Sequence, residues 1–272
     1  MVPRLSHSKK GDNGTVLVVG GSRIYHGAPI LASMAAMRAG ADLVYTAVPK
    51  SNTLPTRALS PNAIVLPLPD DKLTVGGANR LGRALPKKPD SAAIGMGMTI
   101  SKPEALKCLL QRLVEKNTKI VLDASALIPA ILDDISGSHS VVTPHPGEYR
   151  RMFGEDPGKE ESEQVANTQK MARRYQITIV LKGPTNIVCD ENKLSVIKRS
   201  TPGMTVGGTG DILSGIVATF LSKMSSFNAC ILGVYFNGLA ASLASRRLGL
   251  HMVATDIIDE LPNAIKDFDI IQ

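Results

Sequence analysis

The densest group of residues able to do chemistry is T-P-G-M-T-V-G-G-T-G-D, from Thr201 to Asp211, which runs straight into an apolar helical stretch. Glycines let backbone N–H groups approach a ligand closely, and the start of a helix favours an anion. Gly207, Gly208 and Gly210 therefore have the makings of a phosphate-binding nest. Asp211 falls in the first turn of the helix. A carboxylate there is a helix cap and dipole partner or, where an anionic ligand docks, a general base for a substrate hydroxyl; spacing alone leaves both open. The segment V-V-T-P-H-P-G-E, Val141 to Glu148, follows a strand, and strand ends carry the ligand sites of open α/β sheets. Pro144 and Pro146 hold His145 extended. With Glu148 nearby, His145 is a contact for substrate or its phosphates, or simply a turn residue. L-K-G-P-T-N, Leu181 to Asn186, repeats the format: Lys182 meets a phosphate or is an exposed turn lysine. V-L-D-A-S ends a buried strand at Asp123, a metal or water ligand or a turn former. V-V-G-G-S (Val18 to Ser22) with Gly27-Ala28-Pro29 makes a glycine-rich turn into a helix, but it is neither a Rossmann fingerprint nor a Walker A loop. His7, His26, His139 and His251 show no zinc-type pairing, so no protein-held metal is expected.

These sites need elements to carry them. Apolar, β-branched runs at Val16–Val19, Leu43–Val48, Ala63–Leu66, Ala92–Ile94, Ile120–Leu122, Val141–Thr143 and Ile177–Leu181 read as strands. Helical patterns intervene at Gly27–Gly40, Pro103–Glu115 and Glu160–Tyr175. Continuous apolar strands are buried on both faces, as in a parallel sheet covered by helices. Ile187–Cys189 and Leu194–Ile197 flank Asp190-Glu191-Asn192-Lys193 as an antiparallel hairpin near the sheet edge. Asp211–Lys223, Asn228–Arg247 and Thr255–Phe268 then read as three helices closing the second face. The expectation is an α/β fold, a central mostly parallel β-sheet flanked by helices, in one domain spanning residues 1–272.

Composition narrows the function classes. The 272 residues are 43% hydrophobic and 20% charged, which excludes collagen-like and disordered chains. The net charge of +7 favours anionic partners, but the basic residues are scattered pairs such as Lys87-Lys88 and Arg246-Arg247, as on a solvated surface. With aromatics at 4% and no Trp, base-stacking nucleic-acid binding is disfavoured. No apolar run of 18 residues and no secretory leader is visible, so no membrane association is expected. Cys108, Cys189 and Cys230 lack metal-ligand spacing and fit a reducing, cytoplasmic setting.

Taken in order, K-G-D-N-G-T-V-L-V-V-G-G-S, the G-A-P turn, R-A-G-A-D-L-V, I-G-M-G, V-L-D-A-S-A-L, T-P-H-P-G-E, L-K-G-P-T, G-M-T-V-G-G-T-G-D-I-L-S-G-I and H-M-V-A-T-D-I resemble the NAD(P)H-hydrate dehydratase family, from about Lys9 to Ala264. The resemblance implies a ribokinase-like fold. It implies dehydration of the S forms of NADHX and NADPHX, in which water has added to the reduced nicotinamide ring, back to NADH and NADPH. ADP or ATP would be the co-substrate, accompanied by Mg2+. It puts Asp211 at the catalytic-base position and Gly210 with the turn Lys182, Gly183, Pro184, Thr185 and Asn186 at the nucleotide. Ala41, Gly97 and His145 match substrate-side positions. Since fold relatives phosphorylate hydroxyls, the implied mechanism is phosphorylation of the hydrate hydroxyl and then loss of phosphate. A homo-oligomer, a tetramer, is also implied. Three departures stand out. Gly95-Met96-Gly97-Met98-Thr99 replaces the family's Gly-Pro-Gly-Leu-Gly, and Asp123-Ala124-Ser125 replaces Asp-Ala-Asp. About eight residues precede the first motif, so the epimerase activity of many relatives is expected on another chain or not at all. A kinase of the same fold, for hydroxymethylpyrimidine or hydroxyethylthiazole, shares the glycine loop but not the T-P-H-P-G-E segment. A non-catalytic nucleotide-binding regulator would need a broken loop, and a basic RNA-binding protein a concentrated charge.

Overall fold

The run Thr15–Val19 (β1) is buried along its whole length. Val16 and Val18 enter one apolar core, Leu17 and Val19 the other. Such two-sided burial belongs to an interior strand. In the computed structural model, which describes residues 3–198 and 201–272, β1 lies within one nine-stranded sheet. Its other strands are Leu43–Pro49 (β2), Ile64–Leu68 (β3), Ser91–Ile94 (β4), Lys119–Leu122 (β5), Val141–Val142 (β6), Thr178–Leu181 (β7), Asn186–Cys189 (β8) and Leu194–Ile197 (β9). The order is β3-β2-β1-β4-β5-β6-β7-β8-β9. Pairing is parallel up to β7 and antiparallel at β8 and β9, as the hairpin signal around Asp190 anticipated. The strand expected at Ala63–Leu66 lies at Ile64–Leu68, takes in Pro67 and forms one edge of the sheet. A proline lacks only an N–H that an outer strand need not donate inward.

Helices Gly27–Arg38 (α1), Thr209–Leu221 (α8), Ser226–Leu248 (α9) and Ala254–Ile265 (α10) cover one face. Among the others, Thr53–Leu59 (α2), Val75–Ala84 (α3), Pro103–Val114 (α4), Leu132–Ile135 (α5), Pro146–Phe153 (α6) and Glu161–Tyr175 (α7), it is α3, α4, α5, α6 and α7 that pack on the opposite core. The α9 segment is long and apolar enough by composition to cross a bilayer. Here Ala229, Cys230, Gly233, Phe236 and Ala240 bury it in the helical layer. Helices α1 and α8 meet backbone to backbone: a Cβ on Gly215 would lie 2.1 Å from the Ala32 carbonyl oxygen.

Strand order reverses between β1 and β4, and ligands of doubly wound sheets bind in the crevice at such a switch point. Two glycine loops are sewn together there: Gly21 N–H donates to the Met96 carbonyl at 2.8 Å and Gly95 N–H to the Val19 carbonyl at 3.0 Å.

Candidate active site

The carboxyl-terminal ends of β5, β6 and β7 converge on the first turn of α8. Gly208, with φ of +101°, caps that helix, a backbone state open to glycine and costly for other residues. The chain can then turn so that Thr209, Gly210 and Asp211 begin the helix facing the strand ends. Lys182, just past β7, donates from Nζ to Asp123 Oδ1 at 2.7 Å and lies 3.6 Å from Glu148 Oε2. Asp123, just past β5, is buried, and its Oδ2 accepts from Ser214 Oγ at 2.9 Å. Lys182 is thus not an exposed turn lysine, and it borders the cleft that opens beside the cluster. It is a half-buried cation held among carboxylates, with 19% of its side chain exposed. Burial works against its charge, but Asp123 and Glu148 outweigh that and hold its pKa above the ordinary lysine value.

Asp211 completes the cluster. Burial pushes its carboxyl up to about 7; the charges of Asp123 and Glu148 push the same way, and Lys182 opposes them. It is therefore a carboxylate poised to take or hold a proton near neutrality.

His145 is extended, with φ of −81° and ψ of 169°, as its flanking prolines require. It also has a task the sequence left open. Its Nδ1 accepts from the N–H groups of Gly147 and Glu148, and Glu148 Oε2 accepts from the His145 N–H at 2.9 Å, a full capping box for α6. Its Nε2 faces Glu148 Oε1 at 3.6 Å, and the imidazole is 57% exposed beside the cleft. His145→Ala should therefore lower the melting temperature by the loss of a cap, about 1 kcal/mol. His145→Asn, which caps equally well, should restore the melting temperature but not any ligand affinity that the imidazole supplies. Thermal melts paired with ADP and dinucleotide titrations separate the two roles.

Beside this cluster opens a cleft of about 860 Å³. Its walls include His145, Lys182, Gly183, Pro184, Asn186, Gly207, Gly208 and Gly210, together with apolar Met204, Val206 and Leu213. Thr185 is absent from the lining, although its carbonyl oxygen closes the same turn against Gly183. Gly97 lies apart from that cleft, against the Tyr25–Ala28 turn at the switch point, with φ of +61°. Ala41 is with none of them. It precedes β2 at the amino-terminal edge of the sheet, and a seven-residue strand at roughly 3.3 Å per residue separates it from the strand ends that carry the cluster. Covalent geometry thus keeps Ala41 out of this chain's cleft, against the expectation that grouped it with Gly97 and His145.

The sequence reading passed over Ser214 and Asn237. Ser214 stands one turn after Gly210, among the apolar residues Ile212, Leu213, Ile216 and Val217 of α8, and a buried polar residue in such a run was a usable signal. Asn237 of α9 lines the cleft, donating to the Thr209 carbonyl at 3.4 Å, and the same signal, a polar residue in an apolar helical run, marks it. Among the described residues no group of three His, Cys, Asp or Glu side chains is arranged to hold a metal ion.

A family profile described as NAD(P)H-hydrate dehydratase matches residues 16–263. The chain is 48% identical to an ADP-dependent (S)-NAD(P)H-hydrate dehydratase of Nitrosopumilus maritimus, over 98% of this chain and 93% of that one. It is 38% identical to a bifunctional NAD(P)H-hydrate repair enzyme of Pyrobaculum aerophilum, over 97% of this chain but 53% of that protein. A solved ADP/ATP-dependent NAD(P)H-hydrate dehydratase of Bacillus subtilis, co-crystallised with ATP and Mg2+, superposes with a TM-score of 0.84 at 25% identity, covering 98% of this chain and 95% of that one. A hydroxyethylthiazole kinase of Pyrococcus horikoshii, at 16% identity and a TM-score of 0.66 over 94% and 92% of the two chains, shares the ribokinase-like fold.

Proposed function

The chain belongs to the NAD(P)H-hydrate dehydratase family, and from that premise we propose that it is a nucleotide-dependent hydro-lyase that returns (S)-NADHX and (S)-NADPHX to NADH and NADPH, with ADP as the phosphoryl donor. The observation that carries this reading is the placing of a raised-pKa carboxylate, Asp211, at the head of a helix whose glycine turn borders the cleft. ADP rather than ATP is favoured by the names of its relatives at about half identity.

In this reading the nucleotide lies in the cleft, with its phosphates toward Gly207, Gly208 and Gly210 and its remainder along Lys182 to Asn186. The hydrate hydroxyl faces Asp211. Asp211 takes the hydroxyl proton as the oxygen attacks the terminal phosphorus, and AMP leaves. The ring nitrogen's lone pair then expels phosphate as a neighbouring C–H proton is lost, which restores the dihydropyridine. The ammonium of Lys182 stays in the cluster and offsets charge gathering on the phosphoryl oxygens. Mg2+ keeps several waters and binds through one or two carboxylates plus phosphates. Asp123 and Glu148 are already engaged by Lys182. The residues therefore suit an ion carried in on the nucleotide's phosphates rather than one resident in the protein; when bound, such an ion neutralises phosphate charge.

The test is turnover of purified NADHX with ADP and with ATP, followed as NADH absorbance. Hydroxyethylthiazole or hydroxymethylpyrimidine phosphorylation in place of NADH formation would favour the kinase alternative. Gly210 gives a second check. Its φ is not left-handed, and a Cβ there would meet Lys182 Nζ at 3.3 Å and Asp123 Oδ2 at 3.9 Å. Gly210→Val should therefore raise the apparent ADP constant at least about tenfold by filling space, with little loss of melting temperature. Unchanged ADP affinity would remove the phosphates from this loop.

The free, well-separated cysteines support a reducing cytoplasmic setting. Exposed Ile24, Tyr25, Leu54 and Leu59 support self-association, for which we infer a tetramer testable by light scattering.

A further inference from the structure

We propose that Asp123 is the positioning residue of this site: it holds Lys182 beneath the Gly210–Asp211 turn, with Ser214 latching it from the catalytic helix. Both carboxylate oxygens are taken by donors on different elements, Oδ1 by Lys182 at 2.7 Å and Oδ2 by Ser214 at 2.9 Å. Ser214 Oγ also lies 3.1 Å from the Gly210 carbonyl, so the latch reaches the glycine turn itself. Asp123 in turn is held by a built loop. Its N–H donates to the Ile94 carbonyl at 3.0 Å, and its carbonyl leaves no room for a Cβ on Gly95. Ala124, directly after it, is left-handed at φ of +50°, a state that persists only where the surroundings over-determine it. Arg151 supplies that surrounding by donating to the carbonyls of Ala124 and Leu127.

The consequence concerns who receives the lysine. Three carboxylates face one ammonium: Asp123 from the end of β5, Glu148 from α6 and Asp211 from α8. Asp123 holds it most closely. Were that bond absent, the ammonium would be shared between Glu148, 3.6 Å away, and Asp211, and the share falling to Asp211 would weaken it as a base. Asp123 thus keeps Lys182 where a nucleotide's phosphates would meet it and keeps Asp211 available.

This inference rests on Asp211 being the base, so the test needs a readout that requires no substrate. The carboxyl carbon of Asp211 is titrated by 13C NMR in the unliganded protein, its signal assigned from its absence in Asp211→Asn. Asp123→Asn is compared with wild type, and Asp123→Ser serves if the amide variant does not fold. The expected result is a downward move of the Asp211 titration by about one pH unit or more, because a like charge is gone and the ammonium is shared with it. The acid limb of NADHX turnover should move with it. A lower melting temperature with the Asp211 titration unmoved would make Asp123 a packing residue and overturn the proposal. If the NMR titration moves while the wild-type protein fails to dehydrate NADHX, the positioning role stands and the proposed substrate falls.

Discussion

Asp211→Asn is expected to lower the turnover of NADHX by about 10²–10⁴-fold while ADP still binds. The amide keeps the shape of the carboxyl but cannot accept the hydroxyl proton, and loss of a general base has that scale. Steady-state turnover beside an ADP titration checks it; activity within a few-fold of wild type would take Asp211 out of the chemistry. The same substitution carries a stability signature. An ordinary aspartate titrates near 3.8, whereas Asp211 in the fold is pushed up to about 7, first by burial and then by Asp123 and Glu148. The folded protein therefore binds the proton more tightly than the unfolded chain. The resulting stabilisation is fully present below pH 3.8, declines as the pH rises, and is gone above about 7. Asparagine has no proton to lose. The variant should melt higher than wild type at pH 8, with the gap closing toward pH 4. The wild-type acid limb of kcat/KM should fall near 7 in the free enzyme.

Gly95→Ala should cost more stability than any other single methyl group added near the site. At φ of +122° this position suits glycine alone, and a Cβ would lie 1.9 Å from the Asp123 carbonyl oxygen and 2.8 Å from the Ala126 Cβ. Backbone strain of this kind is worth about 1–3 kcal/mol, and overpacking a tight contact about 1–3 kcal/mol more. Their sum, at roughly 2–4 °C per kcal/mol for a chain of this size, lowers the melting temperature by about 5–20 °C. Because the contact is with Asp123, relief by displacement would also move the Lys182 ion pair. Activity should then fall further than the unfolded fraction explains. A folded, fully active Gly95→Ala with an unchanged melting temperature would show that the loop yields without disturbing the cluster.

Much of this site was legible in residue order. Interior strands such as β1 declare themselves because burial on both faces demands unbroken apolar runs, and the charged turn Asp190–Lys193 between two short runs marks a hairpin. The glycine loop before α8 was readable because clustered glycines run straight into an apolar helical stretch with Asp211 in its first turn. What stayed hidden are relations between distant segments. Lys182 and Asp123 are far apart in sequence, and only the parallel neighbourhood of β5, β6 and β7 brings their strand ends together. Read alone, each has a solvent-facing alternative; read as a pair, neither does. His145 shows the opposite limit. Its extended backbone followed from two prolines, but its capping of α6 depends on a rotamer that no spacing dictates. Ala41 shows a third: a position carried over from a resemblance says nothing of the sheet edge on which it sits.

The contact of Gly215 with the Ala32 carbonyl has a bearing on how this enzyme can change over generations. Where two helices touch through side chains, each accepted substitution in the core resets their spacing, and a catalytic group on one of them drifts with it. Here α8 rests on the main chain of α1, and main-chain atoms are the same whatever residues mutation supplies. The reach of Asp211 therefore depends less on the surrounding aliphatic residues at this contact than it would at a seam of side chains. Exchanges among Ile, Val, Leu and Met around the helix pair should then shift this one contact little, while still costing stability where they change core volume. The freedom is bought at one position, which must remain glycine.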